Sequence, residues 1–137
     1  MDVRFDFENV GNSFFGKVYR PVAKVSFLSP KTNLYITTWL IVDTGADFTI
    51  LPQYLSDDLG ISFEHDCVVD ETFGVGGRQT LYLLRNRIKV KIGHFERMIP
   101  LAFLDSNEVP PLMGRLGFIE TFETLFSKKS TVAFGEL

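Results

Sequence analysis

The stretch Leu34–Val42 constrains the fold more than any other. It reads as a strand that ends in four consecutive apolar residues, Trp39-Leu40-Ile41-Val42, before Asp43-Thr44-Gly45-Ala46-Asp47 interrupts it. A strand end that is apolar on both faces is expected inside a sheet that is covered on two sides. Its last residue delivers the chain to an acid in a tight turn. A lone buried carboxylate must find hydrogen bonds or shift its titration. The Thr44 hydroxyl and the N–H groups around Gly45 are the nearest donors, and Gly45 admits a close backbone. Asp and Gly are also ordinary turn residues. A match of this kind arises by chance in roughly one chain of this length in a hundred, so the motif needs support from elsewhere.

The rest of the sequence is strand-rich. Val22–Phe27 alternates, and Ser29-Pro30-Lys31-Thr32-Asn33 is a turn cluster. Thr49-Ile50-Leu51 resumes an extended run that Pro52 stops. Gln53–Leu59 suits one or two helical turns closed by Gly60. Val68–Thr72 and Thr80–Leu84 flank Gly74-Val75-Gly76-Gly77, a hairpin with a permissive tip. Ile88, Val90 and Ile92 alternate with Lys89 and Lys91, and Ile99–Leu104 and Thr131–Phe134 are further strands. In Gly117–Ser127 the apolar residues Phe118, Ile119, Phe122, Leu125 and Phe126 take helical spacing, which predicts a short amphipathic helix. Phe14-Phe15 is expected in the core.

Composition narrows the function. The 137 residues make one domain-sized chain with 14 Phe, 14 basic and 17 acidic residues and a net charge of −3. Nothing denser than Arg85, Arg87, Lys89 and Lys91 offers nucleic acid a basic patch, and their alternation suits a solvated strand face. No apolar run approaches the roughly 20 residues that span a bilayer, and no secretory signal opens the chain. The single Cys67 cannot form an internal disulfide, which fits a reducing, cytoplasmic setting. One Cys and the distant His65 and His94 do not make a zinc cluster, and Glu64-His65-Asp66-Cys67 is no better as a metal site. No metal or cofactor is expected.

Taken together, the motifs resemble those of the retropepsin-like aspartic proteases. Asp43-Thr44-Gly45-Ala46 is similar to that family's active-site motif. Gly74-Val75-Gly76-Gly77 follows about thirty residues later, where the family carries its glycine-rich flap. Leu112-Met113-Gly114-Arg115 is similar to the apolar-apolar-Gly-Arg signature before the family's helix, and Tyr19-Arg20-Pro21-Val22 to the start of its first core strand. The resemblance runs from Tyr19 to Phe134, and four features in the right order are more specific than any one.

The resemblance implies an all-β fold, a closed, orthogonal barrel of the acid-protease type with one short C-terminal helix. Residues 19–134 would be its core and residues 1–18 an extension or edge strand. It implies a homodimer that cleaves peptides, because only one Asp-Thr-Gly is present and the chemistry needs two carboxyl groups sharing a proton. Asp43 would be the catalytic acid, in a loop completed by Thr44, Gly45 and Ala46. Thr44 would hydrogen-bond across the dimer. Gly45, Asp47, Phe48, Phe73, Gly74, Val75 and Gly76 would meet substrate. Asp47 and Arg115, with Gly114, would brace the loop through a partly buried, bidentate pair, and Arg20 would approach Asp47 of the partner subunit. Phe48 predicts an apolar subsite. Phe73, where viral members often carry glycine, would stiffen the flap. The terminal strand would interleave with its mate. The alternative is a catalytically silent dimer of the same fold that binds peptides or acts as an interaction module. A third reading is a zymogen-like state in which Met1–Arg20 or Phe73 blocks the groove.

Overall fold

The computed structural model describes residues 2–74 and 77–136. The elements in chain order are β1 (Val3–Asp6), β2 (Glu8–Ser13), β3 (Gly16–Arg20), β4 (Val22–Leu28), β5 (Tyr35–Val42) and β6 (Thr49–Leu51). Two short helices follow, α1 (Gln53–Asp58) and α2 (Phe63–Asp66), then the long hairpin β7 (Cys67–Gly74) and β8 (Gly77–Leu84). β9 (Ile88–Ile92), β10 (Phe95–Ile99), β11 (Leu101–Leu104), β12 (Leu112–Met113), β13 (Glu123–Ser127) and β14 (Thr131–Gly135) complete the chain. The protein is mostly β.

Nine strands form one sheet in the order β10-β9-β4-β5-β12-β6-β11-β8-β7. β1, β14 and β13 form a second sheet, and β2 and β3 a third. The hydrogen-bond ladder of the large sheet has two edges and does not close into a ring. Alternation fixes most of its registers, because a one-residue slip would turn each apolar set outward. On β9, Ile88, Val90 and Ile92 point inward while Lys89 and Lys91 are half-buried on the other face. One apolar core gathers residues from the nine-stranded and three-stranded sheets, with Phe27, Phe103, Phe118 and Phe134 buried in full.

Several expectations need correction. The end of β5 is not covered on both faces: Leu40 and Val42 are buried, but Trp39 is half-exposed and meets Phe5 edge-on at 5.8 Å. Trp39 and Ile41 lie on the outer face of the strand.

The predicted C-terminal helix is absent. Gly117, at φ +69, starts a single 3-10 turn, Ile119–Thr121, which buries Phe118, Ile119 and Phe122. Leu125 and Phe126 instead belong to β13, paired with Ala133 and Val132 of β14 and half-exposed. Thr and Phe supply four of the six residues of Thr121–Phe126, and such residues favour a pleated surface over a helix once a partner strand is at hand. The apolar spacing was helical by coincidence of a turn followed by a strand.

β14 lies between β1 and β13, so both its edges are filled within one chain. It is not free to interleave with a mate. Phe14 and Phe15 are not core residues either: they are 90% and 97% exposed at the tip of the β2–β3 hairpin.

Candidate active site

The short strand β12 shapes the site. It runs parallel to β5 on one side, with Leu112 opposite Ile41 and Met113 opposite Val42. It runs antiparallel to β6 on the other, with Leu112 opposite Ile50. The loop 43–48 therefore leaves β5, arches over the end of β12 and returns as β6. Backbone bonds fasten the arch to the segment after β12. Asp43 N–H donates to Met113 O at 3.0 Å, Arg115 N–H to Ala46 O at 3.0 Å and Leu116 N–H to Asp47 O at 2.9 Å. Within the loop, Ala46 N–H donates to Asp43 O at 3.1 Å. From the opposite side, Val42 N–H donates to Pro21 O at 2.9 Å.

Asp43 thus sits on a rigid base. Its Oδ1 accepts from Gly45 N–H at 2.9 Å. Among the described residues Oδ2 has no partner, and the side chain is half-buried rather than enclosed. Thr44 and Gly45 are exposed, and within the described chain the Thr44 hydroxyl makes no hydrogen bond. One carboxylate with a free oxygen can take a proton, a water or a second carboxyl group.

Gly114 is the point of closest approach. A Cβ built on it would lie 2.1 Å from the Phe48 carbonyl oxygen and 2.2 Å from the Phe48 carbonyl carbon. Its N–H donates to the Thr49 hydroxyl at 3.1 Å, and Thr49 is fully buried. Sequence reasoning missed Thr49. Nothing in a Thr beside an apolar run shows that its hydroxyl will satisfy a backbone N–H sixty-five residues away. The tie from Val42 N–H to Pro21 O was missed for the same reason; Glu120 is a local contact, its Oε1 accepting from Gly117 N–H at 2.9 Å.

Arg115 Nη2 does donate to Asp47 Oδ1. The pair departs from expectation in two ways. A single contact joins the two side chains, and both are well exposed, 49% for Arg115 and 71% for Asp47. Water screens such a pair, whose worth is typically below about 1 kcal/mol. Arg115→Ala is therefore expected to lower the free energy of unfolding by about 1 kcal/mol or less, read from urea denaturation of the single chain. A loss well above that would mean that the pair braces the loop after all. Asp47, Phe48, Arg115, Leu116 and Glu120 together line a cleft of about 280 Å³.

The β7–β8 hairpin is well formed up to its tip. β7 and β8 pair from Cys67 opposite Leu84 through Phe73 opposite Arg78 to Gly74 opposite Gly77. Gly77 takes φ +96, a left-handed conformation that glycine adopts without a steric cost. The expected contact residues Val75 and Gly76 lie outside the described residues, as do the side-chain surroundings of Phe73. Arg20 closes β3 and is exposed, with no contact to Asp47 of its own chain.

A larger cleft, about 700 Å³, opens elsewhere, between Leu28, Ile61, Leu84, Arg85, Ile88 and Met98. It contains no residue of the Asp43 loop. Cys67 lies near it, buried at the start of β7. Burial pushes its thiol above the usual range, Asp66 pushes it further, and Arg85 pulls the other way. A thiol so held is a poor nucleophile. Glu64, His65 and Asp66 lie in the short helix α2. Among the described residues no helix is long and apolar enough to cross a membrane.

No curated protein matches the chain. The sequence profile of the aspartyl protease family matches residues 33–118. That span starts before β5 and ends after Gly114-Arg115, so it contains Asp43, the hairpin and the whole arch over β12. It covers well over half of the 137 residues, and the chain belongs to the aspartyl protease family, in its retropepsin-like form.

Proposed function

We propose that the protein is a homodimeric aspartic endopeptidase in which the Asp43 carboxyl groups of two subunits hold one catalytic water. The observation that carries this reading is the Asp43-Thr44-Gly45 turn, open to solvent and holding one half-buried acid. Asp43 has one oxygen fixed by Gly45 N–H and one oxygen without a partner among the described residues. An isolated carboxylate cannot be acid and base at once. Two that share a proton can, since like charges held close do not both ionise readily.

In the working pair one oxygen takes a proton from the water as it attacks the peptide carbonyl. The protonated carboxyl group gives its proton to the carbonyl oxygen. The pair still holds one proton after this exchange. As the C–N bond breaks that proton passes to the amine nitrogen, and the other carboxylate takes a hydroxyl proton of the tetrahedral diol, so the pair ends with one proton and no covalent intermediate forms. Thr44, whose hydroxyl has no partner within the described chain, would bond across the two-fold axis and keep the loops in register. Arg20 would reach Asp47 of the partner subunit, whose pairing with Arg115 uses one oxygen only. Gly45 and the flap residues Gly74, Val75 and Gly76 would bond the main chain of an extended peptide. Phe48, with Phe73, would favour apolar side chains.

The barrel belongs to the same reading. Nine strands laid flat would span about 38 Å at 4.8 Å per step. Yet the edge strands β10 and β7 contribute Phe95, Ile99 and Cys67 to one core. A sheet that curls until its edges share an interior supports an acid-protease barrel.

Activity should follow a bell-shaped pH profile. Below both macroscopic pKa values of the pair no base remains, and above both the shared proton is gone, so cleavage is confined to the window between them. The test is cleavage of a peptide library from acidic to neutral pH, with binding of a pepstatin-type inhibitor measured alongside. A flat profile, or activity that rises steadily toward alkaline pH, would refute the shared proton. A confirmed dimer that neither cleaves nor binds the inhibitor would favour the silent peptide-binding module.

A further inference from the structure

Apart from Arg20 at its end, the β2–β3 hairpin has no role in the site described so far. Every residue from Glu8 to Arg20 is exposed, and neither strand has a neighbour other than its twin. An isolated two-stranded hairpin is marginal in water. Its tip is nevertheless closely specified. Phe15 N–H donates to the Ser13 hydroxyl at 3.1 Å, and that hydroxyl donates to Gly16 O at 2.9 Å. Ser at the first and Gly at the fourth position satisfy the turn, so the backbone makes no demand for aromatics between them. Phe14 and Phe15 stand there with rings edge-to-face at 5.3 Å, 90% and 97% exposed. Val10, Val18 and Tyr19 add apolar surface along the stem. Large exposed apolar groups in one place mark a surface that something covers.

Both legs of the hairpin are pinned. Phe7 N–H donates to Ser130 O at 2.8 Å, and Pro21 O accepts from Val42 N–H at 2.9 Å. The arm cannot swing back over its own chain without breaking these ties. The second tie lies one residue from Asp43, so the arm is rooted on the face where a second Asp43 has to arrive. Its six-residue strand reaches about 20 Å at 3.3 Å per residue. A domain of this length has a radius of gyration of about 14 Å, so the arm overlaps a mate that touches its root.

We propose that the β2–β3 hairpin is an embracing arm that packs Phe14 and Phe15 onto a second copy of the chain, once from each side of the two-fold axis. This rests on the dimeric protease reading and names the contact that assembles it. It replaces the terminal-strand exchange that the placement of β14 rules out. The arm is preorganised by Ser13, so little ordering cost opposes its docking.

The test uses the full chain. Phe15→p-benzoylphenylalanine, irradiated, should give a product of twice the chain mass whose yield rises with protein concentration. F14S/F15S, which removes two exposed side chains and should melt as the wild type does, should weaken the dimer about 30-fold or more in sedimentation equilibrium. Cross-links confined to single chains, or to added peptide, would overturn the arm, as would an unchanged dissociation constant. A wild-type dimer indifferent to F14S/F15S sinks the arm alone. A wild type that stays single at every concentration sinks the dimeric protease reading as well.

Discussion

Asp43→Asn protein is expected to fold and pair as the wild type does while losing peptidase activity by about four orders of magnitude or more. Asn has the shape of Asp, and its amide oxygen can still accept from Gly45 N–H, a bond of 2.9 Å in the wild type. The loop ties from Met113 and Arg115 use backbone atoms only, so they survive. What disappears is the proton chemistry, since an amide neither accepts a proton from water nor shares one with a facing carboxylate. Mixing adds a sharper result. With equal amounts of wild type and variant exchanging freely, only about one dimer in four carries both acids. Activity per wild-type chain should therefore fall to about half, and continue toward zero as variant is added. Activity that simply scales with the wild-type chains present would show that one subunit suffices and would remove the half-site mechanism. Peptidase activity retained by the pure variant would remove Asp43 from the chemistry altogether.

The turn at Asp43 was legible because its geometry is local. Asp43, Thr44 and Gly45 are adjacent in sequence, and their order leaves little freedom in how the turn is built. Strands β7 and β8 were legible for a similar reason, with glycines marking a tip between two alternating runs. Long-range placement was not legible. The helix predicted over Gly117–Ser127 failed because β14, which pairs with Leu125 and Phe126, lies further along the chain and a local pattern cannot anticipate it. Thr49 was invisible because its partner, Gly114, is adjacent only once β12 slips between β5 and β6. Phe14 and Phe15 were misread because an aromatic pair in a one-domain chain usually belongs inside. Their exposure breaks that rule, and broken local rules tend to mark functional surface.

Gly114→Ala should cost about 3 kcal/mol or more of folding stability and take activity with it. A Cβ there would lie 2.1, 2.2 and 2.8 Å from Phe48 O, Phe48 C and Thr49 N. These are backbone atoms and cannot rotate aside as a side chain would. β6 begins at the same place, and Thr49, fully buried, pairs with Leu101 of β11. Relief must therefore come from β12. Moving β12 moves Met113 O, which receives the Asp43 N–H, so the acid is displaced by the same shift. Thr49→Val separates the two effects. It keeps the volume and leaves Gly114 N–H buried without its acceptor, for which about 1–3 kcal/mol is expected, with the backbone in place and activity reduced far less. Urea denaturation of each variant, paired with cleavage assays at concentrations where the fold is intact, reads both quantities. Gly114→Ala protein as stable and active as the wild type would mean that the arch over β12 is looser than its contacts imply, and that Asp43 is held by something other than this crossing.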